Sequence, residues 1–228
     1  MLPRKGMVGM PNERRSLRKG GADPMAKNSP SLRAATGADA SRIRAIYAPY
    51  VCKTAITFEY SIPDVREFAD RISCTLETYP YLVAEDPDTG EMLGYAYAGS
   101  FGARRAYDWA VETSIYVRRD VHGKGIGRAL YAALERVLRA QGFVAMYACI
   151  AYPPDGVDDV YLTSASVAFH KHMGFQMVGL FRRCAYKFGR WYDMVWMERS
   201  IAPRAPQQPD ATPFPQMANA LPRLLNAE

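Results

Sequence analysis

Between residues 125 and 141 the apolar side chains Ile126, Leu130, Leu134, Val137 and Leu138 recur at helical spacing, which predicts an amphipathic helix with one buried face. The β-rich run before it, residues 109–117, reads as a strand. Upstream, residues 32–36 predict a first strand. A helix opened by Asp39 or Ser41 follows, with Ile43, Ile46, Tyr47 and Tyr50 inward and a break near Pro49. A loop over residues 52–60 leads to a second helix started by Ser61 and Pro63, with Val65, Phe68 and Ile72 inward. Residues 81–85 and 92–98 predict strands joined by the turn Asp86-Pro87-Asp88-Thr89-Gly90. Downstream come a strand at 143–151, a short helix at 164–173 ended by Gly174, and a hairpin of residues 176–187 and 191–201 around Gly189-Arg190. The order β-α-α-β-β-β-α-β-α-β-β implies an α/β domain with a mixed central sheet flanked by helices.

The two ends lack such patterning. Residues 1–30 are rich in Gly, Pro, Arg and Lys and read as a disordered basic arm, with Met25 an alternative start. Residues 202–228, with prolines at 203, 206, 209, 213, 215 and 222, read as a disordered tail. That leaves residues 31–201 as one domain.

A net charge of +6 invites a nucleic-acid reading, but its placement argues against it. Residues 1–24 carry six basic and two acidic side chains, so the body is nearly balanced. Cys52, Cys74, Cys149 and Cys184 form no C-x-x-C pair, so neither a metal site nor a disulfide framework is expected. Arg14-Arg15 opens no apolar run that would make an export signal, and no segment is long and apolar enough to span a membrane. The expectation is a cytoplasmic protein.

The most legible chemistry is Val117-Arg118-Arg119-Asp120-Val121-His122-Gly123-Lys124-Gly125-Ile126-Gly127. A glycine-rich turn feeding a helix start gathers unpaired N–H groups at the positive end of the helix dipole, a site suited to a phosphate or pyrophosphate. Lys124 and Arg128 add positive charge. No G-K-[ST] closes the turn, and its spacing differs from G-x-G-x-x-G, so neither a triphosphate loop nor a dinucleotide fingerprint fits.

This strand–turn–helix resembles the acetyl-CoA pyrophosphate loop of the GCN5-related N-acetyltransferases (GNAT), whose pattern is [QR]-x-x-G-x-[GA]. His122 departs from it. The resemblance narrows to the phosphinothricin/methionine-sulfoximine acetyltransferase branch. The stretches that carry it are Tyr79-Pro80-Tyr81-Leu82-Val83-Ala84, Gly94-Tyr95-Ala96-Tyr97-Ala98-Gly99, Ala106-Tyr107-Asp108-Trp109 with Glu112, Ser166-Val167-Ala168-Phe169-His170 and Tyr186-Lys187-Phe188-Gly189-Arg190-Trp191. It implies transfer of acetyl from acetyl-CoA, with no metal, to the amine of a small amino acid or toxic analogue, by a homodimer.

Carried over residue by residue, the resemblance implies Glu112 as base and His170 as acid or alternative base. It implies cofactor contacts at Ile115, Tyr116, Val117, His122, Gly123, Lys124, Gly125, Ile126, Gly127, Arg128, Thr163 and Ser166, where Thr163 replaces a common Asn. Substrate contacts fall at Phe58, Arg104, Arg105, Tyr107, Glu112, Thr113 and Ser114. A longer connection between Pro153 and Ser166 carries Asp155, Asp158 and Asp159, and this acidic loop would suit a cationic acceptor. The alternatives are therefore the same fold acting on a polyamine, antibiotic or peptide, or a non-catalytic acyl-CoA-binding regulator whose basic arm contacts nucleic acid.

Overall fold

A computed structural model describes residues 29–227; the basic arm and Met25 lie outside the described residues. Seven strands form one mixed sheet in the order β1-β2-β3-β4-β5-β7-β6. They are β1 (Ser31–Ala34), β2 (Tyr81–Glu85), β3 (Met92–Ser100), β4 (Ala110–Val117), β5 (Ala145–Tyr152), β6 (Gln176–Lys187) and β7 (Arg190–Ser200). Only β4 and β5 run parallel, linked by the crossover helix α3 (Ile126–Gln141). On one face α1 (Ala40–Lys53) and α2 (Val65–Leu76) cover β2–β4, burying Ile43, Tyr47, Phe68 and Ile72 against Tyr81 and Tyr95. On the other, α3 and α4 (Ala165–His172) bury Leu130, Leu134 and Val167 against Ala96, Ala148 and Val195.

The amphipathic stripe read from sequence is the buried face of α3. Two readings need correction. Helix α1 does not break near Pro49 but runs to Lys53. The proline removes one backbone donor, yet Tyr50 and Val51 beyond it are buried, and their packing carries the helix on. The proline-rich tail is not a disordered segment. Residues 202–227 lie along the domain and end in α5 (Leu221–Asn226). Phe214, Met217 and Leu225 enter the core, Thr212 N–H donates to Gln141 O at 2.7 Å, and Arg136 Nε donates to Leu224 O at 2.7 Å. Among the described residues no helix is long and apolar enough to cross a membrane, and no group of three or more His, Cys, Asp or Glu side chains is placed to hold a metal ion.

Candidate active site

The parallel pairing of β4 and β5 is short. It covers Ala110↔Ala145, Val111↔Met146 and Glu112↔Tyr147 and stops there, while β5 continues with β7 as far as Tyr152↔Asp193. At the apex of the wedge the Thr113 hydroxyl donates to Tyr147 O at 3.0 Å. Beyond Thr113, β4 keeps β3 on one edge, up to Gly94↔Val117, and among the described residues has no strand on the other. A strand edge of this kind offers main-chain donors and acceptors to an extended ligand.

The glycine turn lies at the wide end of the wedge. Gly123 and Gly125 have φ of 78° and 79°, a left-handed conformation that side chains disfavour. A Cβ at either would meet nothing within 4 Å, so the requirement is conformational rather than spatial. Gly125 caps α3, whose first backbone bond is Ala129 N–H to Gly125 O at 3.0 Å, which leaves the N–H groups of residues 126–128 without a helical partner. Lys124 and Arg128 are exposed beside them. Gly127 has a different reason. A Cβ there would lie 3.2 Å from the Phe169 ring, so its smallness lets α4 approach α3. The side chain of Ile126 is buried and that of Ile115 packs on the same core, so each offers only its backbone.

Of the side chains expected at the cofactor, His122 and Tyr116 are turned to other partners. His122 folds back, its Nε2 lying 2.9 Å from Tyr50 Oη and 3.1 Å from Val117 O. Because Tyr50 O–H itself donates to Val117 O at 2.5 Å, the imidazole Nε2 is the donor there, and the Val117 carbonyl is occupied. The Tyr116 ring points to the opposite face of the sheet, 4.9 Å from Tyr47 and 5.4 Å from Tyr95. Thr163 is exposed and Ser166 half-buried at the start of α4.

Side chains alternate across β4, so Glu112 and Ser114 project to the α1/α2 face and Thr113 to the other. Glu112 is half-buried, and that burial raises its carboxyl above the ordinary value. Thr113, expected at the substrate, is instead buried in the core, with its hydroxyl 3.4 Å from Tyr131 Oη. Nor does His170 reach the cleft. It is 3% exposed; its Nδ1–H donates to Ser166 O at 2.7 Å, and Nε2 accepts from Tyr131 O–H at 2.9 Å. Burial pulls its pKa down to about 4, so at neutral pH it is an uncharged link between α3 and α4 with both nitrogens engaged.

Phe58 packs beside Ala151 on the Glu112 face of β5. Its loop is tied to β6 by the buried Lys187, whose Nζ donates to Thr57 O at 2.6 Å, and to the acidic loop by Ala55 N–H to Tyr161 O at 3.0 Å. In the loop between β3 and β4, Tyr107 is exposed, with its ring edge-on to Phe101 at 5.7 Å. Arg104 is exposed, whereas Arg105 leans to Asp210 at 3.5 Å.

The acidic loop is used internally. Asp158 accepts from Ser164 N–H, and Asp159 accepts from Tyr161 and Leu162 N–H, Arg190 and Tyr192. Asp155 sits 3.5 Å from Arg182. Sequence reading missed Tyr50, which closes the cradle, and Tyr97, which lies across from Ser114 on the Glu112 face. Neither stands out by periodicity among so many buried tyrosines.

These features meet known proteins at several points. A family model described as an acetyltransferase (GNAT) domain matches residues 32–196. The phosphinothricin N-acetyltransferase of Streptomyces viridochromogenes is 34% identical over 78% of this chain and 91% of its own length. The L-methionine sulfoximine/L-methionine sulfone acetyltransferase of Pseudomonas aeruginosa is 36% identical over 77% and 96%. A solved phosphinothricin acetyltransferase from Sinorhizobium meliloti, in complex with AcCoA, superposes with a TM-score of 0.71 at 36% identity, covering 82% of this chain and 96% of that one. With its wedge, cradle and sheet order, the chain belongs to the GNAT family of acetyltransferases.

Proposed function

We propose that this chain transfers the acetyl group of acetyl-CoA to the α-amine of a small amino acid or an analogue of the phosphinothricin or methionine-sulfoximine type. The observation that carries the reading is the wedge between β4 and β5. It opens onto left-handed Gly123 and Gly125 at one end and has a half-buried Glu112 beside its apex.

Acetyl-CoA, when bound, supplies an activated acyl thioester. Backbone N–H groups of residues 123–128, with Lys124 and Arg128, hold its diphosphate. The open edge of β4 around Ile115 bonds the pantetheine arm. Glu112 takes the proton of the acceptor ammonium, directly or through water, and its raised pKa makes it a stronger base than a surface carboxylate. Arg104 receives the acceptor carboxylate, and Phe58 and Tyr107 wall the acceptor. The neutral amine attacks the thioester carbonyl, the C–S bond breaks as the C–N bond forms, and the CoA thiolate leaves and takes a proton from solvent. His170 does not act as acid in this scheme but fixes Tyr131.

In the loop of residues 154–163, Asp159 is engaged by Arg190 and Tyr192, whereas Asp155 and Asp158 are exposed, and the thiol-release assay separates a cationic from a carboxylate-bearing acceptor. Homodimer formation is part of the proposal. Edge strand β6 exposes Met177, Val178, Leu180, Phe181 and Tyr186, and unpaired edges with apolar side chains are templates for association. So is a cytoplasmic setting, in keeping with four free cysteines.

The test is release of free thiol from acetyl-CoA across matched amines with and without a carboxylate. Release confined to the amino acids supports the reading. Release with polyamines alone, or with no amine, contradicts it.

A further inference from the structure

On the α1/α2 face lies a second feature, a half-open cavity of about 530 Å³ between α2 and the sheet. Tyr47, Phe68, Tyr81, Tyr95, Tyr97 and Tyr116 wall it. Its polar lining includes Glu59, Asp70 and Arg71. Arg71 holds Glu59 Oε1 at 3.0 Å and Glu67 Oε1 at 2.6 Å. The other oxygen, Glu59 Oε2, is buried without a hydrogen-bond partner. A buried carboxylate oxygen lacking a donor is costly, and among the described residues nothing relieves it.

The cavity and the proposed acceptor site share a wall. Tyr97 lies across from Ser114, and Ser114 and Glu112 project from the same face of β4. Glu112 does not itself line the cavity; Tyr97 stands between them on the same face, so an acceptor whose amine rests at Glu112 reaches the cavity by passing its side chain over Tyr97. The chemistry of the lining limits what enters. Aromatic walls favour an apolar stem. Arg71 is shared between Glu59 and Glu67, and Asp70 also lines the cavity, so the polar end of the lining favours a hydrogen-bond donor over an acceptor.

We propose that the cavity takes the side chain of the acceptor amino acid, and that Glu59 Oε2 accepts a hydrogen bond from an N–H at that side chain's tip. This rests on the acetyltransferase reading and adds a preference to it: amino acids whose side chains end in an N–H donor are favoured over isosteres ending in an acceptor.

Methionine sulfoximine and methionine sulfone are matched probes, because the first carries N–H where the second carries only oxygen. In the wild-type chain, kcat/KM for the sulfoximine should exceed that for the sulfone by about tenfold, the size of a hydrogen bond to a charged group. In Glu59→Gln, Arg71 holds the amide oxygen and turns the NH2 toward the cavity, so the ratio should fall to unity or invert, with Tm little changed. Three results overturn the proposal while leaving acetyl transfer intact: a wild-type ratio within twofold of unity, a preference for the sulfone, or the same ratio in wild type and a well-folded Glu59→Gln. The wild-type ratio needs no variant, so it stands even where the substitution disturbs folding. Turnover with no amino acid at all overturns the acetyltransferase reading and this proposal with it.

Discussion

Two side chains that the sequence placed together in catalysis part company in the structure. Glu112 faces the cleft, half-buried. Glu112→Gln keeps the shape and removes the base, so turnover should drop about 10²–10⁴-fold while acetyl-CoA affinity stays within a few-fold, read by thiol release and calorimetry. His170 instead governs stability. Its folded pKa is depressed to about 4 from an ordinary 6.5, so the unfolded chain binds the extra proton first. The contribution is therefore fully present above pH 6.5 and is lost as pH falls toward 4, up to about 3 kcal/mol. Urea unfolding should show this fall, and His170→Gln should flatten it. Only part of this was legible. The period of two along β4 already separates Thr113 from Glu112 and Ser114, a signal that the resemblance overrode. Burial of His170 by Tyr131, 39 positions away, had no local trace.

Among the elements, the glycine turn and the α3 stripe were readable because backbone conformation and burial there follow from local spacing. The C-terminal strap was not. Its prolines and polar residues carry no periodicity and predict disorder, although Pro222 sits in the first turn of α5, where a missing N–H costs nothing. Yet Phe214, Met217 and Leu225 anchor it on the core. Phe214→Ala should cost about 3 kcal/mol, seen as a lower denaturation midpoint. The strap also holds the acceptor loop, since Trp109 Nε1–H donates to Pro209 O at 2.6 Å and Arg105 pairs with Asp210. Trp109→Phe should raise KM for the amino acid about threefold and leave KM for acetyl-CoA unchanged. A parallel rise in both would show that the strap serves stability alone.

For the whole molecule, the sheet order opens one wedge between β4 and β5, and in the proposed scheme the coenzyme enters it from the α3/α4 side and the acceptor from the α1/α2 side. Among the described residues the same order leaves β6 as an uncovered edge with apolar side chains out. A mass measurement in solution should give a dimer, and Phe181→Glu should shift it to monomer; a monomeric wild type contradicts that surface. The account as a whole depends on the main-chain cradle at the mouth of the wedge. Calorimetric titration of acetyl-CoA into the wild-type chain and into Gly125→Val tests it most directly. The account predicts one saturable site per chain in the wild type, weakened about tenfold or more when a β-branched residue is forced against the left-handed backbone at 79°. No heat with the wild type, or equal affinity in a folded Gly125→Val, would contradict it.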